Sequence, residues 1–256
     1  RWPPGVAGRA GAGVARTRAR HRHMPNPLAT VLLGPVLLLQ GHRVRRSIPR
    51  LPEPPGERAG VAGAGPRLGL LVVGDSAAAG VGATHQDQAL SGQLVRALSP
   101  RFEVHWQLEA KTGATTASAI GHLRSLPAEP FDVAVTSLGV NDLTAGRRVP
   151  AWLREQAALR ALLRERFGVG RLLVSGLPPV HAFPALPQPL RWYLGARARA
   201  FDLALRQSLA HEPGACHVGF DGDHDVPSMM ASDGFHPGPP VYAAWARRLA
   251  DALEAA

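Results

Sequence analysis

The chain has 256 residues, 45% of them hydrophobic, which suits one compact domain with an appendage. Its net charge of +10 is lopsided: residues 1–66 carry 11 arginines against Glu53 and Glu57, whereas residues 67–256 hold 18 basic and 17 acidic side chains. The nearly neutral body has no stripe of charge to follow phosphates, which argues against a nucleic-acid partner, and a lone cysteine, Cys216, excludes an intrachain disulfide.

Residues 1–23 are rich in Arg, Ala, Gly and Pro and lack the apolar side chains a core needs. Met24 is a candidate start of the natural chain. Residues 28–39 form an apolar run that falls short of the ~20 residues a spanning helix needs, and Pro35 is expected to kink or stop a helix there. Three readings are open. A secretory signal has the right apolar length, but Arg43, Arg45 and Arg46 follow it and resist translocation. A shallow interfacial anchor fits better, with those arginines meeting anionic headgroups. A strap folded on the domain is the third. A cytoplasmic or membrane-associated protein is favoured over an exported one. Residues 49–66 read as a Pro/Gly linker, so residues 1–66 are expected to lie outside the core and residues 67–256 to form the folded domain.

From residue 68 short apolar runs alternate with helical spacing. Strands are expected at residues 68–73, 102–108, 131–138, 171–175 and 216–220, and helices at 89–98, 115–126, 149–167, 190–209 and 240–253. Cys216 falls in the last strand and reads as a buried, unreactive thiol. Five strands interleaved with five helices predict an α/β fold, a parallel sheet covered on both faces. In such sheets sites form past the carboxyl ends of the strands. Ser76, Gly113, Asn141 and the loop after Ser175 all fall there.

Ser76 sits in Gly74-Asp75-Ser76-Ala77, where the first strand breaks into small residues. A strand-to-helix turn would expose its hydroxyl at a helix N-terminus, whose amides favour negative charge. A serine needs a base before it attacks. Asp233-Gly234-Phe235-His236-Pro237 offers one: the Asp233 carboxylate can fix the His236 tautomer, leaving Nε2 free. Asn141, in Gly139-Val140-Asn141-Asp142, offers an uncharged donor, and Gly113 an open backbone N–H. Each motif alone is unspecific and also reads as a cap, turn or surface loop; all four in order are a strong signal.

On these residues the chain resembles the SGNH hydrolases, the GDSL-type esterases and lipases, from about residue 68 to 253. Gly74-Asp75-Ser76-Ala77 is similar to their first block, with Ala77 where leucine is usual. Gly113 corresponds to the second, Gly139-Val140-Asn141-Asp142 to the third, and the Asp233–His236 motif to the fifth. The resemblance implies a flavodoxin-like three-layer sandwich with a five-stranded parallel sheet, and ester hydrolysis without a cofactor or metal. It implies Ser76 as nucleophile, Asp233 and His236 as its triad partners, and an oxyanion hole made by Ser76 N–H, Gly113 N–H and Asn141 Nδ2. Substrates would be small acyl esters, with lipid-like esters, sugar O-acetyl groups, thioesters and lysophospholipids all open.

Two rival readings are weaker. An α/β-hydrolase elbow needs a second glycine where Ala78 stands. A non-catalytic module on the same sheet would have no need of the full set of reactive groups. Asp221, Asp223, His224 and Asp225 read as a solvated loop rather than metal ligands. Phe183, with His181, Trp192 and Tyr193, is expected to wall the substrate pocket, and residues 28–39 with Arg43, Arg45 and Arg46 to offer a peripheral membrane contact.

Overall fold

The computed structural model describes residues 27–220 and 226–255. The elements run in the order α1 (Pro27–Ser47), β1 (Ala59–Ala62), β2 (Arg67–Gly74), α2 (Leu90–Leu98), β3 (Glu103–Ala110), α3 (Thr116–Ser125), β4 (Val133–Ser137), α4 (Val140–Thr144), α5 (Val149–Phe167), β5 (Arg171–Ser175), α6 (Leu190–Leu209), β6 (Ala215–Val218), α7 (Val226–Met229) and α8 (Pro239–Glu254).

The strands form a single six-stranded sheet in the order β1-β3-β2-β4-β5-β6, parallel except for β1. β2 is buried along nearly its whole length because it is apolar on both faces, as a central parallel strand must be. Side chains alternate across it. Leu71 and Val73 pack with the α3, α5 and α6 layer, and Leu70 and Val72 pack with α2 and α8. The result is the three-layer α/β/α arrangement. α5 ends where expected, at Gly168 in the left-handed conformation (φ 62°), whose N–H closes on the Leu163 carbonyl.

Three details differ from the sequence expectation. The sheet has a sixth strand, β1, inside the segment read as linker; it pairs antiparallel along the edge through Ala59↔Gln107 to Ala62↔Val104. Its four residues, Ala-Gly-Val-Ala, are too small and too few to show a strand pattern, and the space beside Gly60 is filled by the Trp106 ring. The apolar run near the start does not break at Pro35. One helix runs from Pro27 to Ser47, and Pro35 lies exposed on its outer side, where the carbonyl of exposed Val31, left without an N–H donor, faces water. The chain before residue 67 therefore supplies both an edge strand and a helix whose Leu37 joins the core cluster that includes Leu177 and Phe183. Finally, Cys216 is half-buried rather than buried.

Candidate active site

The site begins at the carboxyl end of β2. Gly74 has no room for a side chain, since a Cβ would clash with Ala78 and with the Ser137 carbonyl on β4. Asp75 N–H continues the ladder to Ser137 O at 3.1 Å, and the chain then curls through a turn. Ala79 N–H donates to Asp75 O, and Val81 N–H to Ser76 O. No helix follows. α2 starts only at Leu90, after Gly80 (φ 90°) and Gly82 (φ 101°) have taken backbone conformations that other residues avoid. The expected helix dipole behind Ser76 is thus replaced by the amides of one turn. Ser76 N–H meets no acceptor among the described residues.

Asp233, Gly234, Phe235 and His236 form a tight loop just before α8. Asp233 is 5% exposed. Its Oδ1 accepts from Phe235 N–H (2.9 Å) and His236 N–H (3.0 Å), and its Oδ2 lies 2.6 Å from His236 Nδ1. Burial pushes this carboxyl up, but the bonds from the His236 ring and from the two amides outweigh it, so Asp233 is held below the ordinary carboxylate range. His236 Nε2 in turn lies 2.9 Å from Ser76 Oγ. A hydroxyl, an imidazole and a carboxylate that are 160 positions apart at the extremes of the first bond are therefore joined in one chain of hydrogen bonds.

Two features that sequence reasoning missed make that meeting possible. Gly82 lies against Pro237, where a Cβ would strike the Pro237 carbonyl, so the histidine loop can close on the serine turn only over a glycine. Tyr242 on α8 is buried and donates its hydroxyl to Val81 O at 2.7 Å, tying α8 to the same turn. No motif signalled either, because both act through contacts distant in sequence.

Asn141 stands in the first turn of α4. Its Nδ2 donates to Ala114 O (2.9 Å) and, at 3.4 Å, to Asp75 Oδ2. Asp142 holds this loop in place. Fully buried, it accepts from Thr116 N–H (3.1 Å) and Thr116 Oγ1 (3.0 Å), and Thr116 Oγ1 accepts from Trp152 Nε1 and Gln156 Nε2. Burial raises Asp142 above its ordinary value in spite of these donors. Burial also pushes Asp75 from 3.8 up to about 7, with Asp142 adding to the effect and Ala77 N–H and His236 opposing it.

A cavity opens at Ser76 and His236. Its walls are apolar and include Leu177, Phe183, Phe220, Met230, Phe235 and Trp245. Phe183 is there as expected, edge-on to Phe235 at 5.3 Å between ring centroids. His181, Trp192 and Tyr193 do not line it. Gly113, in the left-handed region (φ 82°) and exposed, lines a neighbouring polar cleft with Glu53, Arg58 and Lys111. The structure thus brings Ser76, Asn141 and His236 around one cavity, with Asp233 bonded to His236, and Gly113 lines the adjoining cleft. Asp221, Asp223, His224 and Asp225 lie outside the described residues, as do residues 1–26.

The family model for the GDSL-like lipase/acylhydrolase family matches residues 72–253. The chain belongs to that family. As a GDSL-like hydrolase it is a carboxylic ester hydrolase, and its fold recurs in solved structures. The lipase Lip_vut3 from a goat rumen metagenome superposes with a TM-score of 0.58 at 19% identity, over 72% of this chain and 97% of the other. A member of the lipolytic G-D-S-L family from Veillonella parvula gives 0.56 at 14% identity, over 73% and 96%. A catalytic mutant of Axe2, an acetylxylan esterase from Geobacillus stearothermophilus, gives 0.53 at 14% identity, over 72% and 93%. No curated protein matches this GDSL-like chain.

Proposed function

We propose that this hydrolase cleaves carboxylic esters of apolar acyl groups through an acyl-enzyme on Ser76. The observation that carries the reading is the unbroken chain Ser76 Oγ–His236 Nε2 (2.9 Å) and His236 Nδ1–Asp233 Oδ2 (2.6 Å) at the mouth of an apolar cavity. As Ser76 Oγ attacks the ester carbonyl carbon, its proton passes to Nε2 of His236. Asp233, kept ionised by its amide donors, accepts from Nδ1–H and stabilises the imidazolium. The carbonyl π pair moves onto oxygen, and Ser76 N–H and Asn141 Nδ2 receive the resulting oxyanion, Asn141 exchanging its long bond to Asp75 for it. Gly113 N–H is the third donor that the resemblance implies, next to Ala114, whose carbonyl accepts from Asn141 Nδ2.

Collapse of the tetrahedral intermediate breaks the C–O bond to the leaving alcohol, which takes the proton from His236. Water then enters, gives a proton to His236, attacks the acyl carbon and releases the acid, returning the proton to Ser76. The apolar walls favour a hydrocarbon acyl chain longer than acetyl, because an acetyl group would leave Phe183, Met230 and Trp245 without a partner.

Replacing Ser76 by Ala is expected to abolish turnover of p-nitrophenyl butyrate in a protein that remains folded, and to abolish labelling by a fluorophosphonate. Retained turnover in that variant would defeat the assignment.

A further inference from the structure

Helix α1 presents two unlike faces. The inner face packs on the catalytic body: Leu37 is buried, Leu33 and Val44 pack beside it, Gln40 Nε2 donates to Gln188 O at 2.7 Å, and Leu190 N–H donates to Gln40 Oε1 at 3.1 Å. The outer face is aliphatic. Val31, Leu32, Val36, Leu38 and Leu39 are between 43% and 77% exposed. Steps of 100° along the helix put these on the side away from Leu37, with Arg43 and Arg46 continuing the same face. Nearby on α6, Trp192 is 43% exposed. An aliphatic surface this continuous is unusual on a protein that keeps it in water.

What covers it is constrained by charge. Between Pro27 and Pro52 the chain has Arg43, Arg45, Arg46 and Arg50 and no acidic residue. A second copy docking through the same face would set arginines against arginines. The chain's own first 26 residues carry six arginines and no acid, so they are repelled as well. The partner must therefore be anionic and must accept hydrocarbon side chains from a convex helix without a groove or polar anchor to fix a register. Fluid acyl chains beneath anionic headgroups meet both conditions. Among the described residues no helix is long and apolar enough to cross a membrane, so the contact is with one face of it.

We propose that the outer face of α1 docks this hydrolase on an anionic lipid surface, with Val31, Leu32, Val36, Leu38 and Leu39 entering the boundary and Arg43, Arg46 and Arg50 meeting the headgroups. The docked helix adjoins the site. Its Arg45 donates to Thr144 O on α4, the element that carries Asn141, and Leu37 shares a core with Phe183 of the cavity wall. An enzyme held this way draws its esters from the surface it lies on. That last step rests on the esterase reading; the docking does not.

The test uses the full chain and flotation with vesicles of phosphatidylcholine alone or mixed with phosphatidylserine, across a salt series. The expected result is binding to the mixed vesicles that weakens with salt, and much less binding to the neutral ones. Leu32→Glu with Leu39→Glu should lower the partition at least about tenfold. Arg43→Gln with Arg46→Gln should lower it roughly 25-fold, at about fivefold per arginine near a charged surface. Both variants should melt like the parent and hydrolyse a soluble p-nitrophenyl ester at the parent rate, since none of the four side chains touches the cavity. Parent-like vesicle binding by both variants would assign any affinity to residues 1–26 and overturn the proposal. So would a parent dimer that the leucine variant alone dissolves, or a parent that ignores vesicles. Because flotation needs no turnover, failure of the esterase reading leaves the result intact.

Discussion

Replacing Asp75 by Asn removes one titrating group from the centre of the site while keeping the acceptor for Ala77 N–H. Asp75 is 4% exposed, and its folded-state value of about 7 compares with 3.8 for an ordinary aspartate. The folded protein therefore holds this proton where the unfolded chain has released it. Below about pH 4 both states are protonated and the shift has no effect. As pH rises, the unfolded state gains by ionising, so stability falls by about 1.4 kcal/mol per pH unit until the folded carboxyl also titrates near 7. A gap of about three units amounts to about 4 kcal/mol. Urea unfolding of parent and variant at intervals from about pH 4 to about pH 8 brings out this term, because groups that do not interact with Asp75 cancel in the difference. The parent should lose stability relative to the variant between about pH 4 and 7 and run parallel to it above. A difference that stays constant across the whole range would show that Asp75 is ionised in the fold, and the burial argument would fail.

Asn141→Ala should lower kcat by about 10²–10³ with little change in KM, the loss typical of one oxyanion donor, in steady-state kinetics on a short-chain ester. Equal loss in KM would place the side chain in substrate binding instead. Phe183→Ala removes a buried ring from the cavity wall, so chain-length profiling should show the optimum moving to longer acyl groups, together with a stability loss of about 3–5 kcal/mol. An unchanged profile would separate Phe183 from the acyl chain. Thr116→Val leaves Trp152 Nε1 and Gln156 Nε2 without their shared acceptor and takes one donor from Asp142; denaturation should report a loss of about 1–3 kcal/mol.

The parts of this fold that carried strong local patterns were readable. β2 and β4 are unbroken apolar runs because both their faces are covered, and α5 is bracketed by Pro150 and Gly168. The serine stood out at a strand end, and the aspartate and histidine stood out by their three-residue spacing just before the last helix. What escaped was set by distant partners. β1 is a strand because β3 offers it an edge, not because Ala-Gly-Val-Ala favours one. α1 continues through Pro35 because its inner face is held by the body and its outer face leaves the freed carbonyl to water. The turn after Ser76 looked like a helix start, since small residues suit both, and only Gly80 and Gly82 with positive φ decide against it. Gly113 was legible as an open turn position, and its φ of 82° is one that glycine tolerates.

Three buried aspartates show how little residue type alone determines at this site. Asp233 has two backbone amides and an imidazole to donate to it, and those donors overcome burial, so it is ionised and can orient a base. Asp142 receives a threonine's amide and hydroxyl, and burial still prevails. Asp75 has one close amide and a distant asparagine, and burial carries it to about 7. The order follows the supply of donors. It also follows what each position can tolerate. A charge on Asp233 stabilises the imidazolium that forms beside it, whereas a charge on Asp75 would sit against Asn141, where the proposed mechanism gathers a second negative charge on the ester oxygen. Burial at Asp75 thus disfavours a charge next to the proposed oxyanion, the donors at Asp233 favour one next to the imidazolium, and the two shifts run in opposite directions because the loops turn different numbers of N–H groups inward.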